Sequence, residues 1–252
     1  MTSPLPEFTV RLARTDADLR AAQRLRYEVF VRELGGDGPL VDHKQGLEKD
    51  HLDPYFDHLL LVRSADQQVV GAYRLMRGDA AAKAGGFYSA GEYDLTVLLH
   101  SGRRLLELGR SCIHPDERGG TALHHLWTGL ARYIADHGIE VLFGVASFHG
   151  TDPNALAAPL SLLHHRHLAP DDLRVVAKGA GAHRMDLLAE GTFDRRAAML
   201  QVPGLIKAYL RLGGFVGQGA FVDHAFNTTD VCLILDIARM DEKQARLYRA
   251  AV

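Results

Sequence analysis

The spacing of apolar residues changes several times along the chain, and each change predicts an element. From 16 to 33, Leu19, Ala22, Val29 and Phe30 recur at helical spacing, and Thr15 with Asp18 has the spacing of a capping box with Asp in place of Glu. GGDGP at 35–39 ends that helix, and residues 40–58 are polar, irregular and dense in Asp and His. HLLLVR (58–63) and VVGAYRLMR (69–77) read as two strands of a hairpin joined by SADQQ. A small-residue loop over 78–94 and a short helical turn in LTVLLHSG lead to RLLELGRSCI (104–113), the expected central strand. Leu123, Leu126, Trp127, Leu130 and Ile134 then mark the clearest helix, 121–137, closed by His137-Gly138. IEVLFGVASF (139–148) is apolar throughout, as a strand covered on both faces is. NALAAPLSLLHHRHLAP reads as helical, LRVVA and HRMDLLA as weaker pieces. Pro203 opens an amphipathic helix, GLIKAYLRLG, and AFVDHAF with VCLILDI closes the chain as a strand pair.

This order places an antiparallel hairpin ahead of a strand–helix–strand unit. It excludes an all-parallel doubly wound sheet and predicts a mixed α/β fold, a twisted mixed sheet flanked by helices. No repeat and no linker interrupts the chain, so one domain over 1–252 is expected, with a core at about 8–190 and the 200–240 segment packed on it.

Composition narrows the class. The 252 residues are 47% hydrophobic and 24% charged, with a net charge of −2, so nothing directs the chain to nucleic acid. No secretory signal or membrane-spanning run is read, and a cytoplasmic location is expected. The two cysteines, Cys112 and Cys232, sit in apolar runs and read as buried thiols, with one disulfide left open. The fourteen histidines include His124-His125 and His164, His165 and His167, but no metal-binding spacing accompanies them, and no metal is expected.

The chemistry concentrates in RLLELGRSCIHPDERGGTA (104–122). A core strand seldom carries an acid and a guanidinium, because burying either is costly unless it is paired. Regular alternation puts Leu106, Leu108 and Arg110 on one face, with Glu107, Gly109 and Ser111 on the other. A bulge near Gly109 would bring Glu107 and Arg110 toward one cleft. The purely structural alternative is an ion pair between them, or between Arg110 and an Asp of 50–57. Arg118, Gly119, Gly120, Thr121 and Ala122 then stand at a helix start, where unpaired amides and the helix dipole can hold a phosphate.

A strand with such groups, an Arg-Gly-rich loop, a helix and a second strand resemble the acyl-donor site of the GNAT acyltransferase superfamily. The resemblance implies that the loop holds pantetheine phosphates, while Gly109, Ser111 and Cys112 border the pantetheine arm. Here Arg118 is followed by Gly-Gly-Thr-Ala instead of the usual x-x-G-x-G/A, and a single phosphate, as on an acyl carrier protein, asks less of such a loop. Arg26 with Phe30, Asp50 with Asp53, Arg74, and Glu107 with Arg110 resemble the pattern of acyl-homoserine lactone synthases. Wider stretches, among them LRYEVF, VVGAYRLM, LELGRSCIHPDERGG, LFGVASFHGTDP and LIKAYLRLGGFVGQGAFVD, resemble the L-ornithine N-acyltransferases of lyso-ornithine lipid synthesis.

The resemblance implies transfer of a 3-hydroxyacyl group from acyl carrier protein, or from acyl-CoA, to the α-amine of L-ornithine or a similar amino acid, with no permanently bound cofactor. Glu107 is the candidate base and Arg110 its catalytic neighbour, with strand amides beside Gly109–Cys112 as oxyanion donors. Arg26, Arg74 or Arg110 are candidates for the acceptor's carboxylate, and Asp50, Asp53 or Asp57 for its ammonium. The Arg pairs 103–104 and 195–196, with Lys207 and Arg211, are candidates to meet the carrier protein. A lipid product also raises peripheral contact with the inner face of the membrane through 204–217. A lactone-synthase-like or other amino-acid N-acyltransferase, and a non-catalytic acyl-binding membrane-associated module, are the alternatives.

Overall fold

The computed structural model describes residues 7–39 and 41–240; the ends of the expected 1–252 domain lie outside these. Nine strands form one twisted mixed sheet. In chain order they are β1 Phe8–Leu12, β2 Asp57–Arg63, β3 Val69–Arg77, β4 Leu105–Ile113, β5 Val141–His149, β6 Ala182–His183, β7 Phe215–Val216, β8 Ala220–Asp223 and β9 Thr228–Asp236. Their spatial order is β1-β2-β3-β4-β5-β9-β8-β6, with β7 also paired to β9. The helices are α1 Asp16–Arg26, α2 Gly78–Ala84, α3 Thr96–Leu99, α4 Ala122–His137, α5 Ala157–His167, α6 Arg195–Gln201 and α7 Gly204–Arg211.

The faces follow from the two-residue period of the strands. Leu59 and Leu61 of β2, with Leu106 and Leu108 of β4, pack against Leu126, Leu130 and Ile134 of α4. Leu60 and Val62 point the other way, against Ala22, Leu25 and Val29. At Gly129 of α4 an added Cβ would lie 2.3 Å from Val10 Cγ1, so only glycine lets α4 sit this close to β1. The apolar face of α7 is also spent on the core, with Ile206 and Tyr209 buried.

Three segments differ from the sequence expectation. FTVRL, unassigned in the sequence, is the edge strand β1, and its five residues are too few for a clear period. The 16–33 helix has the expected Thr15–Asp18 capping box, but its α-helical part stops at Arg26 and winds on as a π-helix over Tyr27–Glu33. The widened turn changes which residues face inward, and such turns recur at functional sites. The small-residue loop contains α2, closed by left-handed Gly85.

The β4–β5 pair positions the site. It is the parallel pair that α4 bridges, and its register runs only from Leu105↔Val141 to Glu107↔Phe143. At Gly144 an added Cβ would stand 2.1 Å from Leu108 O. Past that crossing β5 stays with β9 along its whole length, while β4 stays with β3. A gap therefore opens between β4 and β5 at their C-terminal ends, where the edge of β4 has no strand partner.

Candidate active site

Arg110 is where β4 breaks its pleat. The β3–β4 register runs Ala72↔Cys112 and then Arg74↔Gly109, so Arg110 and Ser111 together face Tyr73. Arg110 takes φ of +51°, a conformation that costs a non-glycine residue about 1–3 kcal/mol. The extra residue switches the alternation and carries Arg110 to the side of Glu107. Both line one cavity of about 390 Å³, together with Gly109, Ser111, Val145, Tyr73 and Arg74. Phe30 and Leu34, from the widened helix and the residue after it, and Phe226 also border it. A narrow apolar recess of about 20 Å³ shares Tyr73, Leu108, Val145, Ala146 and Leu205 with the cavity and runs under α7 to Tyr209.

Glu107 and Arg110 do not pair. The Glu107 carboxylate accepts the backbone N–H groups of Tyr88 at 2.8 Å and Ser89 at 2.6 Å. Burial nonetheless outweighs these bonds and raises its pKa, as removal from water disfavours the charged form. Arg110 donates through Nε to Glu48 at 3.1 Å, and its guanidinium lies over the rings of Tyr88 and Phe226, 4.9 and 4.7 Å from their centroids. The structural alternative, a pairing with an Asp of 50–57, is replaced by Glu48.

The acceptor candidates form a buried ion network under the cavity. Arg26 bonds Glu48 and, at 2.7 Å, Asp53. Arg74 bonds Asp50 at 2.7 Å and Asp53 at 2.9 Å, and lies over Phe56. With Arg110 this makes three guanidiniums against Glu48, Asp50 and Asp53, formally neutral. Arg26 and Arg74 hold the Asp53 carboxyl well below its ordinary range, against the cost of burial. Of this set only Arg74 and Arg110 reach the cavity wall, together with Phe30. Asp50 and Asp53 are already taken by arginines, and Asp57 accepts from the Tyr133 hydroxyl at 2.5 Å. None of the three, the candidates for the acceptor's ammonium, lines the cavity.

Residues 118–121 are exposed, whereas Ala122, where α4 starts, is buried in the core. Gly119, with φ of +79°, and Gly120 both face open space. The amides from Gly119 to His124 donate to no described residue. Arg118 is paired with Glu33 at 2.6 and 2.7 Å, and its Nε donates to Ile113 O. The loop does not line the cavity; it follows β4 after His114 and the 3-10 turn Pro115–Glu117. Cys112 and Cys232 are buried free thiols, and burial pushes Cys112 up to about 12, which removes it as a nucleophile. Arg103 of the surface arginines is committed to Asp236.

Sequence reading missed Glu48, Tyr73, Tyr88, Glu92, Asp223 and Asp230. Glu92, Asp223 and Asp230 bring carboxylate oxygens within 4.8 Å of one another, with Asp223 and Asp230 in the cavity wall. Burial, then the neighbouring carboxylates, raise the pKa of Glu92; burial also raises Asp230. A signal for Asp230 existed, since it is an acid inside TTDVCLIL, the same anomaly that singled out Glu107. Glu92 had none.

Comparison with known proteins shows the family to which a chain with this cleft belongs. Residues 25–128 match the acetyltransferase (GNAT) domain family. The L-ornithine N(alpha)-acyltransferase of Rhodobacter capsulatus is 58% identical over 97% of this chain and 96% of its own length. The chain belongs to the L-ornithine N(alpha)-acyltransferase family. The Brucella abortus protein of that name is 44% identical over 96% of this chain and 88% of its own. Among solved structures, an N-acyl amino acid synthase from uncultured soil microbes matches with TM-score 0.55 at 12% identity, over 96% of this chain and 98% of that one. A CoA-dependent acyl-homoserine lactone synthase matches with TM-score 0.52 at 16% identity, over 93% of this chain and 82% of that one. At such identities the likeness is one of fold. The chain is thus an N-acyltransferase of mixed α/β GNAT fold. Among the described residues no helix is long and apolar enough to cross a membrane.

Proposed function

We propose that this enzyme moves a 3-hydroxyacyl group from the phosphopantetheine thioester of acyl carrier protein to the α-amine of L-ornithine, giving lyso-ornithine lipid. The observation that carries the reading is the opening between β4 and β5, with an unpaired strand edge on one side and Glu107 buried in its wall. An extended pantetheine arm can take the place of the missing strand, so that β4 amides past Glu107 meet the thioester carbonyl. The open amides of Gly119–His124 suit the phosphate at the outer end of that arm. The acyl chain has an apolar wall to follow in Leu108, Val145, Ala146 and Leu205, and the narrow recess under α7 would have to widen to take its end.

The acceptor α-amine titrates near 8 or above, so a base assists at neutral pH. Glu107, with its raised pKa, takes the proton as the nitrogen attacks the thioester carbon. Strand amides stabilise the oxyanion, each worth about 10²–10³ in rate. The C–S bond then breaks, the pantetheine sulfur leaves as thiolate, and the proton on Glu107 returns to it. Arg110, with Nη1 bonded to no described residue, is the candidate partner for the acceptor's carboxylate.

The test incubates purified protein with 3-hydroxyacyl carrier protein and a panel of amino acids, read by mass spectrometry, with an acyl-CoA arm in parallel. Nα-acyl-ornithine formed from the carrier protein is expected. No acylation of any amine, or acylation from acyl-CoA alone, overturns the reading.

A further inference from the structure

The charges around the cavity do not balance. The three arginines beneath it are matched one for one by Glu48, Asp50 and Asp53. Glu107, Glu92, Asp223 and Asp230 are then left over. Glu107 and Asp223 each accept two backbone amides, but Glu92 and Asp230 are left short of donors. Glu92 is 6% exposed and its Oε2 has no hydrogen-bond partner among the described residues. Asp230 is 4% exposed, and its Oδ1 makes no hydrogen bond of acceptable geometry, although the Ser147 and Thr228 hydroxyls lie beside the carboxylate. Asp223 is fixed through Oδ1 by the amides of Ala225 and Phe226, in the turn that joins β8 to β9. A buried acceptor left without a donor costs about 1–3 kcal/mol, more for a charged group, so Glu92 and Asp230 are costly unless a donor from a ligand completes them, with Asp223 beside them at the cavity wall.

We propose that Glu92, Asp223 and Asp230 form the subsite for the side-chain ammonium of the amino-acid acceptor, which deepens and rests on the transferase reading above. A primary ammonium has three N–H donors for three carboxylates. With N–H···O lengths of about 2.8 Å in tetrahedral directions, its acceptors stand about 4.6 Å apart, and the three carboxylate oxygens here all fall within 4.8 Å. Position agrees as well, since Asp223 and Asp230 share the cavity with Glu107 and Arg110. A diamino acid can span it, with its carboxylate at Arg110, its α-amine by Glu107 and its far ammonium in the trio. Held there as a cation, the side-chain nitrogen has no lone pair to attack with, which directs acylation to the α-nitrogen. Burial and mutual repulsion hold Glu92 in its protonated form, so capture of the ammonium releases a proton.

The experiment compares kcat/KM for L-ornithine and L-norvaline, the same chain without the far amine, in wild type, Glu92→Gln and Asp230→Asn. A wild-type preference for ornithine of about 100-fold or more is expected, falling at least tenfold in each variant. Fragment-ion spectra should show side-chain acylation appearing in the variants. A ratio that stays constant overturns the proposal. So does a wild type that acylates norvaline as well as ornithine, an outcome that leaves the transferase reading intact; a wild type that acylates no amine removes that reading instead. Calorimetry on wild type alone covers variants that do not fold, with proton release on ornithine binding in two buffers and none on norvaline binding. If Mg²⁺ or Ca²⁺ binds this cluster and competes with ornithine, the site is a metal site and the proposal fails.

Discussion

Glu107→Gln separates the two things this residue can do, which are to act as a base and to anchor the chain at Tyr88–Ser89. The glutamine is nearly isosteric, but its side chain offers one oxygen where the carboxylate offers two. Either the Tyr88 or the Ser89 N–H then loses its acceptor and faces an NH₂ group. A buried donor left unmet costs about 1–3 kcal/mol. Removing a desolvated charge returns part of this, since burial already disfavours the carboxylate. A net loss of about 1–2 kcal/mol follows, or about 2–8 °C in Tm for a chain of this size. That leaves essentially all of the protein folded at 25 °C. Loss of a general base is larger, about 10²–10⁴ in rate. The assay is therefore paired, with melting followed by circular dichroism and turnover by mass spectrometry. In wild type the pH profile adds a signature. Below the α-amine pKa, log kcat/KM falls with slope one, and it steepens toward two as pH drops through the raised pKa of Glu107. The variant should keep slope one throughout. A variant that melts lower but retains more than a tenth of wild-type kcat shows Glu107 to be an anchor only, and the base assignment is then wrong.

Gly144→Ala forces a methyl into Leu108 O at 2.1 Å and should cost about 3 kcal/mol or prevent folding, checked by Tm and soluble yield. Asp53→Asn leaves Arg26 and Arg74 short of their shared counter-charge and should cost about 3–5 kcal/mol in denaturant unfolding, whereas a loss below 1 kcal/mol contradicts the network as described. Glu92→Gln should stabilise the free enzyme in a pH-dependent way. The wild-type carboxyl keeps its proton up to about 9 when folded and loses it near its ordinary 4.5 when unfolded. Across that window the folded state binds more protons, so wild-type stability falls as pH rises. The variant's advantage in Tm should be absent near pH 5 and largest near pH 9; an advantage that does not change with pH refutes the burial of that charge.

The sequence determined the elements whose signal is local. The α4 stripe of Leu126, Leu130 and Ile134, the 58–77 hairpin, the Thr15–Asp18 cap and the apolar β5 run each encode their shape in side chains a few residues apart. It also exposed Glu107 and Arg110, because a charge in a core strand needs either a partner or a function. Partners were another matter. Arg110 meets Glu48 across 62 positions of sequence, Glu107 is held by amides 18 and 19 residues upstream, and Asp230 of β9 meets Glu92, which lies far upstream between β3 and β4. No spacing rule reaches such distances, since the register of β4 on β3 and the crossing at Gly144 decide them. Which carboxylates are neutralised and which wait for a cation is thus a property of the packed sheet, where removal from water makes every unpaired charge count.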